Sequence, residues 1–199
     1  IVAVIDCTGH GVPGAFMTLI ANDFLNEIVI QQGIYNPVLI AESLDKGIIR
    51  TLKQEQSDNM DGMDVIICRV SQENNLRNIT FVGAKRPLIY YKNNEKSLFI
   101  EKGWNKTIGG SVSGVEMFKY TCHTVQLEHG DIIYLTSDGY TDQLNNFDMR
   151  FGTKKFLSLL NKIASKPLEE QKHFLETEHL IHTKTTAQYD DITVWGIKL

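Results

Sequence analysis

Between Asp64 and Ile133 the hydrophobic pattern of the chain shifts from the three- and four-residue steps of helices to the short apolar runs of strands, and no other feature narrows its fold as much. The runs are Val65 to Val70, Asn78 to Val82, Leu88 to Tyr91, Ser97 to Glu101, Met117 to Gln126 and Asp131 to Leu135. Asn74-Asn75, Asn93-Asn94 and His129-Gly130 supply turn chemistry between them. Helical periods flank this meander. On one side Phe16, Leu19, Ile20, Phe24 and Ile28 mark a helix from Ala15 to Ile30, and Val38, Leu39, Ala41, Leu44, Ile48, Ile49 and Leu52 mark another opened by Pro37. On the other side helices are expected near Thr153 to Ala164 and Leu168 to His179, before a last strand from Ile192 to Leu199. Strands joined by short turns pair antiparallel, and helices must cover a sheet face, so the order predicts an α+β layered fold with a largely antiparallel sheet. No repeat, low-complexity tract or linker interrupts residues 1–199, which read as one domain.

Composition removes several functions. Twenty Lys and Arg against 24 Asp and Glu leave a formal charge of −4 with no basic run, which argues against nucleic acid as a partner. The three cysteines, Cys7, Cys68 and Cys122, form no CxxC pattern, so neither a disulfide scaffold nor a zinc site is indicated, and a reducing cytoplasm fits. Cys68 and Cys122 fall in apolar strand patterns and are expected to be buried. The most apolar long window, Val12 to Ile30, contains Asn22, Asp23, Asn26 and Glu27, which a membrane span would not tolerate. The chain opens on Ile1-Val2-Ala3-Val4-Ile5, a strand with no initiator Met or leader, and so reads as part of a longer protein.

Three aspartate clusters sit where strands end or begin: Asp6 after the first strand, Asp138 in Thr136-Ser137-Asp138-Gly139, and Asp190-Asp191 before the last strand. A carboxylate at a strand edge is rigidly aimed yet reachable, the setting in which hard divalent ions collect oxygen ligands. Asp beside Gly is also ordinary turn chemistry, and each cluster taken alone stays open between the two readings.

Five stretches in order resemble the bacterial SpoIIE-type branch of the metal-dependent (PPM) serine/threonine protein phosphatases, from one end of the chain to the other. Val4 to Ala15 is similar to that family's D-x-S/T-G-H/K-G-x-P-A turn and helix. Asp61-Gly62-Met63-Asp64 resembles its central strand entry, Phe81 to Leu88 its A-G-x-x-P-L hairpin, Gly130 to Asp142 its G-D-x-L-x-L-Y-S/T-D-G-x-T-E/D segment, and Asp190-Asp191-Ile192-Thr193 its closing D-D-I/M-T.

The resemblance implies a layered β-sandwich of largely antiparallel strands flanked by helices. It also implies hydrolysis of phosphoserine or phosphothreonine by a hydroxide shared between two Mn²⁺ or Mg²⁺ ions. Carried over residue by residue, Asp6 bridges the ions, the main-chain carbonyl of Cys7 is a further ligand, Asp138 and Asp190 hold the second ion, and Asp191 stands beside them as a secondary ligand or hydrogen-bond partner. His10 has two readings, general acid toward the leaving oxygen or a structural residue at the helix entry, since its spacing from Asp6 exceeds that of eukaryotic members and the bacterial branch accepts Lys there. Asp61 and Asp64 have two as well, a third, weaker metal site or a plain turn. Gly109-Gly110 reads as a loop that the family shares. The implied partners are a phosphorylated regulatory protein, an anti-sigma-factor antagonist in many members, an N-terminal sensor domain in cis and a second copy in a homodimer. The implied location is the cytoplasm, including the cytoplasmic part of a membrane-anchored receptor. The family also has an earlier strand with an acidic turn that nothing before Ile1 supplies, so the expected extent is a phosphatase domain lacking its first strand or strands. The alternative function is a catalytically weak or inactive module of the same fold that serves dimerisation or partner binding.

Overall fold

The computed structural model describes residues 1–9, 11–110 and 120–199, which form two compact units. The first unit comprises Ile1–Asn74, Asn78–Pro87 and Lys102–Gln126. Its strand β1 (Val2–Cys7) leads into helix α1 (Gly11–Leu25), which runs on as a π-helical segment over Asn26–Gln31. Helix α2 (Pro37–Thr51) starts where the sequence asks it to: the Asn36 side chain accepts hydrogen bonds from the Val38 and Leu39 amides, and Pro37 needs no partner for a missing N–H. Strands β2 (Gly62–Glu73) and β3 (Leu76–Ala84) follow, turning at Asn74, whose φ of 55° is tolerated by an Asn. Farther along the chain come β4 (Leu88–Lys92), β5 (Ser97–Glu101), the two-residue β6 (Ile108–Gly109) and β7 (His123–Leu127). The first sheet has the order β1-β2-β3-β7, with β6 also paired to β2.

Alternation along β2 sorts its side chains. Met63, Val65 and Ile67 join Met17, Ala21, Ile28, Ile40, Ala41, Leu44 and Ile48 in the core under the helices. Ile66 and Cys68, on the opposite face, are fully buried too, the pattern of a strand covered on both sides. Helices α1 and α2 approach closely at Gly47, where a Cβ would lie 2.8 Å from the Phe24 ring. The buried residues of α1 are Gly14, Met17 and Ala21, whereas Phe16 and Leu19, expected on the inner face, are 61% and 59% exposed. Small residues on the inner side let the helix lie near the sheet and turn its bulkier side chains outward.

The second unit comprises Asn75–Arg77, Leu88–Glu101 and Leu127–Leu199. After β8 (Ile132–Thr136) come the short α3 (Gly139–Asp142), α4 (Thr153–Ile163), α5 (Leu168–Thr183) and β9 (Val194–Lys198). The sheet order is β5-β4-β8-β9, with each pair antiparallel. Ile89, Tyr91, Ile132 and Tyr134 face Phe156, Leu160, Ile163 and Leu175 of the helices. The buried Tyr134 hydroxyl donates to Gln171 Oε1 at 2.7 Å, and Gln171 donates in turn to the carbonyls of Ala164 and Lys166. Gly130 and Asp131 are tied to Leu199 by two main-chain hydrogen bonds, and the buried Asp131 carboxylate accepts from the amides of Asn93 and Glu128.

Antiparallel sheets flanked by helices are the fold class the sequence predicts. Of the strand expected over Met117 to Gln126, the ladder runs from His123 onward, Tyr120 to Cys122 lies outside it, and 117–119 lie outside the described residues. Cys68 is buried as expected, and Cys122, off the strand, is exposed.

Candidate metal and phosphate site

In the first unit, β1 and β2 pair so that Asp6 lies directly opposite Asp64. Directly opposed residues of an antiparallel pair share a face, so two carboxylates stand side by side at the end of a row formed by Val4 with Ile66 and Val2 with Cys68. Like charges so placed repel, and a basic side chain resolves the conflict. Arg86 donates from Nη2 to Asp64 Oδ2 at 2.6 Å, with the same nitrogen 3.6 Å from Asp6 Oδ2, and Lys85 Nζ is 4.0 Å from Asp64 Oδ1. The Arg86, Asp6 and Asp64 side chains are only 11%, 17% and 14% exposed, so water screens these charges weakly.

The backbone around Arg86 is over-determined. A Cβ on Gly83 would fall 2.0 Å from the Arg86 carbonyl oxygen, so only glycine permits the turn. Lys85 takes a left-handed φ of 58°, and the amides of Lys85 and Trp104 bond the carbonyls of Trp104 and Gly83 respectively. Pro87 then disfavours a helical conformation of Arg86 at the exit of the turn.

Beside this cluster Thr8 knits β1 to β2. Its amide donates to the Gly62 carbonyl, its hydroxyl accepts from the Gly62 amide, and that hydroxyl lies 3.2 Å from Asp61 Oδ1. Asp61 also accepts from Asn59 Nδ2, so its carboxylate serves the turn before β2. Gln54, 1% exposed, donates to the Asp61 carbonyl and accepts from the Gly110 amide, tying Gly110 to that turn. Burial is the main reason the Cys7 thiol is pushed above its ordinary pKa, with the Asp6 charge adding to it against a hydrogen bond with Thr18. The side chain is therefore a neutral thiol at physiological pH, and of Cys7 only the main-chain carbonyl is a hard donor.

In the second unit, Asp138 follows β8 at the entrance of α3. Its carbonyl accepts from the Thr141 and Asp142 amides, while its carboxylate makes no capping bond to the helix. Gly139 brings this corner against the segment before β9: a Cβ there would lie 2.2 Å from the Asp191 carbonyl oxygen. Ser137 ties the two segments, its hydroxyl donating to the Asp191 carbonyl and accepting from the Thr193 amide. Asp190 and Asp191 are exposed, and Asp190 Oδ1 accepts from the Asp191 amide at 2.8 Å.

The structure thus joins Asp6 with Asp64, and Asp138 with the Asp190-Asp191 segment. Among the described residues no three His, Cys, Asp or Glu side chains gather into a group able to hold an ion. The donors are nonetheless all oxygen, carboxylate or carbonyl, the set that Mg²⁺ and Mn²⁺ prefer. His10 lies outside the described residues. Sequence reasoning missed Arg86, although a basic pair ending an apolar strand before a proline was the visible signal.

Antiparallel sheets flanked by helices are the fold of the serine/threonine protein phosphatase domains that this chain resembles, and the chain is a protein phosphatase of that class. It belongs to the SpoIIE family, whose model, described as Stage II sporulation protein E (SpoIIE), matches residues 1–199. No curated protein matches it. Among solved structures, the SiaA PP2C domain of Pseudomonas aeruginosa is similar at 26% identity and a TM-score of 0.82, over 99% of this chain and 74% of that one. The PP2C phosphatase domain with a fragment of the regulatory domain of SpoIIE from Bacillus subtilis is similar at 18% identity and a TM-score of 0.68, over 98% of this chain and 52% of that one. The catalytic domain of the phosphatase PstP, in complex with two manganese ions, is similar at 13% identity and a TM-score of 0.56, over 96% and 84%. The last two are likenesses of fold.

Proposed function

We propose that the chain removes phosphate from phosphoserine or phosphothreonine of a bacterial regulatory protein, as the output domain of a signalling protein, with Asp6, the Cys7 carbonyl, Asp138 and Asp190 holding two Mn²⁺ or Mg²⁺ ions and Asp191 beside them. The observation that carries this reading is the all-oxygen donor set at three strand ends, within a chain whose whole length matches the family. When bound, the ions would supply a water activated for attack and positive charge toward the phosphoryl oxygens. The chain's own part is placement. Thr8 and the β1–β2 ladder fix Asp6, while Ser137 and Gly139 fix Asp138 relative to Asp190 and Asp191. His10 is proposed to protonate the leaving oxygen, which a pH profile of His10→Ala would reveal as a lost alkaline limb. An anti-sigma-factor antagonist is the proposed substrate, supported by the relation to SpoIIE, and a cytoplasmic setting accords with it. Among the described residues no helix is long and apolar enough to cross a membrane.

The test is Mn²⁺-dependent phosphate release from a small aryl phosphate and from a phosphoserine-bearing antagonist protein, with Asp138→Asn and Asp190→Asn as controls. Activity that survives both substitutions in excess Mn²⁺ refutes the ligand assignment. Absence of metal-dependent release by the full-length protein refutes the function.

A further inference from the structure

The Asp6–Asp64–Arg86 cluster has a consequence for metal loading that the donor set alone does not. Asp6 carries its negative charge toward a guanidinium 3.6 Å away, and that guanidinium also donates to Asp64 at 2.6 Å. A divalent ion bound to Asp6 would arrive within a few ångströms of a fixed positive charge whose surroundings are largely out of water, where repulsion is strong. Asp64 works in the opposite sense, because it draws the guanidinium toward itself and away from Asp6.

We propose that Arg86 is a built-in counter-cation that competes with divalent metal for Asp6, and that Asp64 sets the strength of this competition by drawing Arg86 aside. Arg86 is then a positioning residue that acts through Asp6 and needs no contact with substrate. The turn at Gly83 and Lys85 fixes the backbone from which the Arg86 side chain reaches both carboxylates. The proposal rests on the reading of Asp6 as a metal ligand, and the test separates the two.

The experiment measures Mn²⁺ affinity by calorimetry on the full-length protein, for wild type, Arg86→Gln, Arg86→Lys, Asp64→Asn, the Arg86→Gln/Asp64→Asn double variant and Asp6→Asn, with melting temperatures in EDTA and in Mn²⁺. Two single changes in one salt bridge are expected to move affinity in opposite directions. Arg86→Gln tightens Mn²⁺ binding about tenfold, because Asp6 and Asp64 are left opposed without the guanidinium. Asp64→Asn weakens it by about the same factor, because the guanidinium turns to Asp6. The double variant, which has no guanidinium left to compete for Asp6, stays tighter than wild type and near Arg86→Gln, and Arg86→Lys, which keeps the charge, stays close to wild type. In EDTA Arg86→Gln melts lower than wild type, and Mn²⁺ removes most of that difference, since the ion relieves the carboxylate repulsion. An arginine with a merely structural role would lower the melting temperature equally with and without metal and would weaken binding in both single variants; either result overturns the proposal. Wild-type affinity retained in Asp6→Asn overturns instead the assignment of Asp6 as a ligand, whatever Arg86 does.

Discussion

Replacing Gly139 by Ala tests the corner that carries Asp138, Asp190 and Asp191 with a single methyl group. The added Cβ would stand 2.2 Å from the Asp191 carbonyl oxygen, 2.8 Å from its carbon and 3.2 Å from Ile192 Cγ1. Carbon and oxygen settle at about 3.3 Å or more, so the corner carrying Asp138 and the segment carrying Asp190 and Asp191 must part by about 1 Å. The neighbours that have to move are main-chain atoms pinned by Ser137 and by the pairing of β8 with β9, so no side chain can simply swing aside. Overpacking of this kind costs roughly 1–3 kcal/mol, which for a chain of this size lowers the melting temperature by about 2–12 °C. A displacement of about 1 Å among groups that position reactants costs on the order of a hundredfold in rate. The assay is kcat for Mn²⁺-dependent hydrolysis of a small aryl phosphate, at a temperature well below both melting points. A variant that melts lower but keeps kcat within threefold of wild type refutes a catalytic part for the Asp190-Asp191 segment. An unchanged melting temperature refutes the close approach itself.

Asp138→Asn and Asp190→Asn are expected to remove most activity while changing stability by less than about 1 kcal/mol, as read by urea unfolding, because neither side chain belongs to the core. Tyr134→Phe leaves the buried Gln171 Oε1 without its 2.7 Å donor and should cost about 1–2 kcal/mol by the same measurement; a neutral result would mean the Tyr–Gln pair adds nothing net. Burial pushes the Cys68 thiol up to about 12 from 9.0, so the neutral thiol stabilises the fold fully below pH 9 and that contribution is lost as pH rises toward 12. Cys68→Ala should therefore flatten the alkaline fall in stability by up to roughly 1.4 kcal/mol per pH unit, and a slope identical to wild type would refute it. Alkylation at pH 8 followed by mass spectrometry should label the exposed Cys122 first and Cys68 only on unfolding.

The sequence made the elements legible because their signals are local. Asn36-Pro37 announces the start of α2, Asn74-Asn75 announces the β2–β3 turn, and helical and strand periods separate cleanly on either side of Asp64. What stayed hidden depends on partners distant in sequence. The inner face of α1 was misjudged because periodicity finds the most apolar stripe, whereas the contact with the sheet selects small residues such as Gly14 and Ala21. Asp64 offered two local readings, and only register settles its environment: opposite Asp6 on β1 and bonded to Arg86 from the end of β3. Asp131 likewise belongs to a recognisable motif, yet its carboxylate serves the amides of Asn93 and Glu128.

Strand β8 lies between β4 and β9 in the second sheet, and three helices separate β8 from β9 along the chain. During synthesis β8 therefore emerges from the ribosome with one neighbour already made and the other still to come. Its apolar edge, Ile132 to Leu135, stays open until the chain through Leu199 has been translated and has bonded Gly130 and Asp131. Loop closure over that distance is slow, and an unpaired hydrophobic edge invites pairing with another chain. Loss of β9, by a premature stop or by proteolytic trimming, would consequently send the product into aggregates rather than leave a shortened but soluble enzyme.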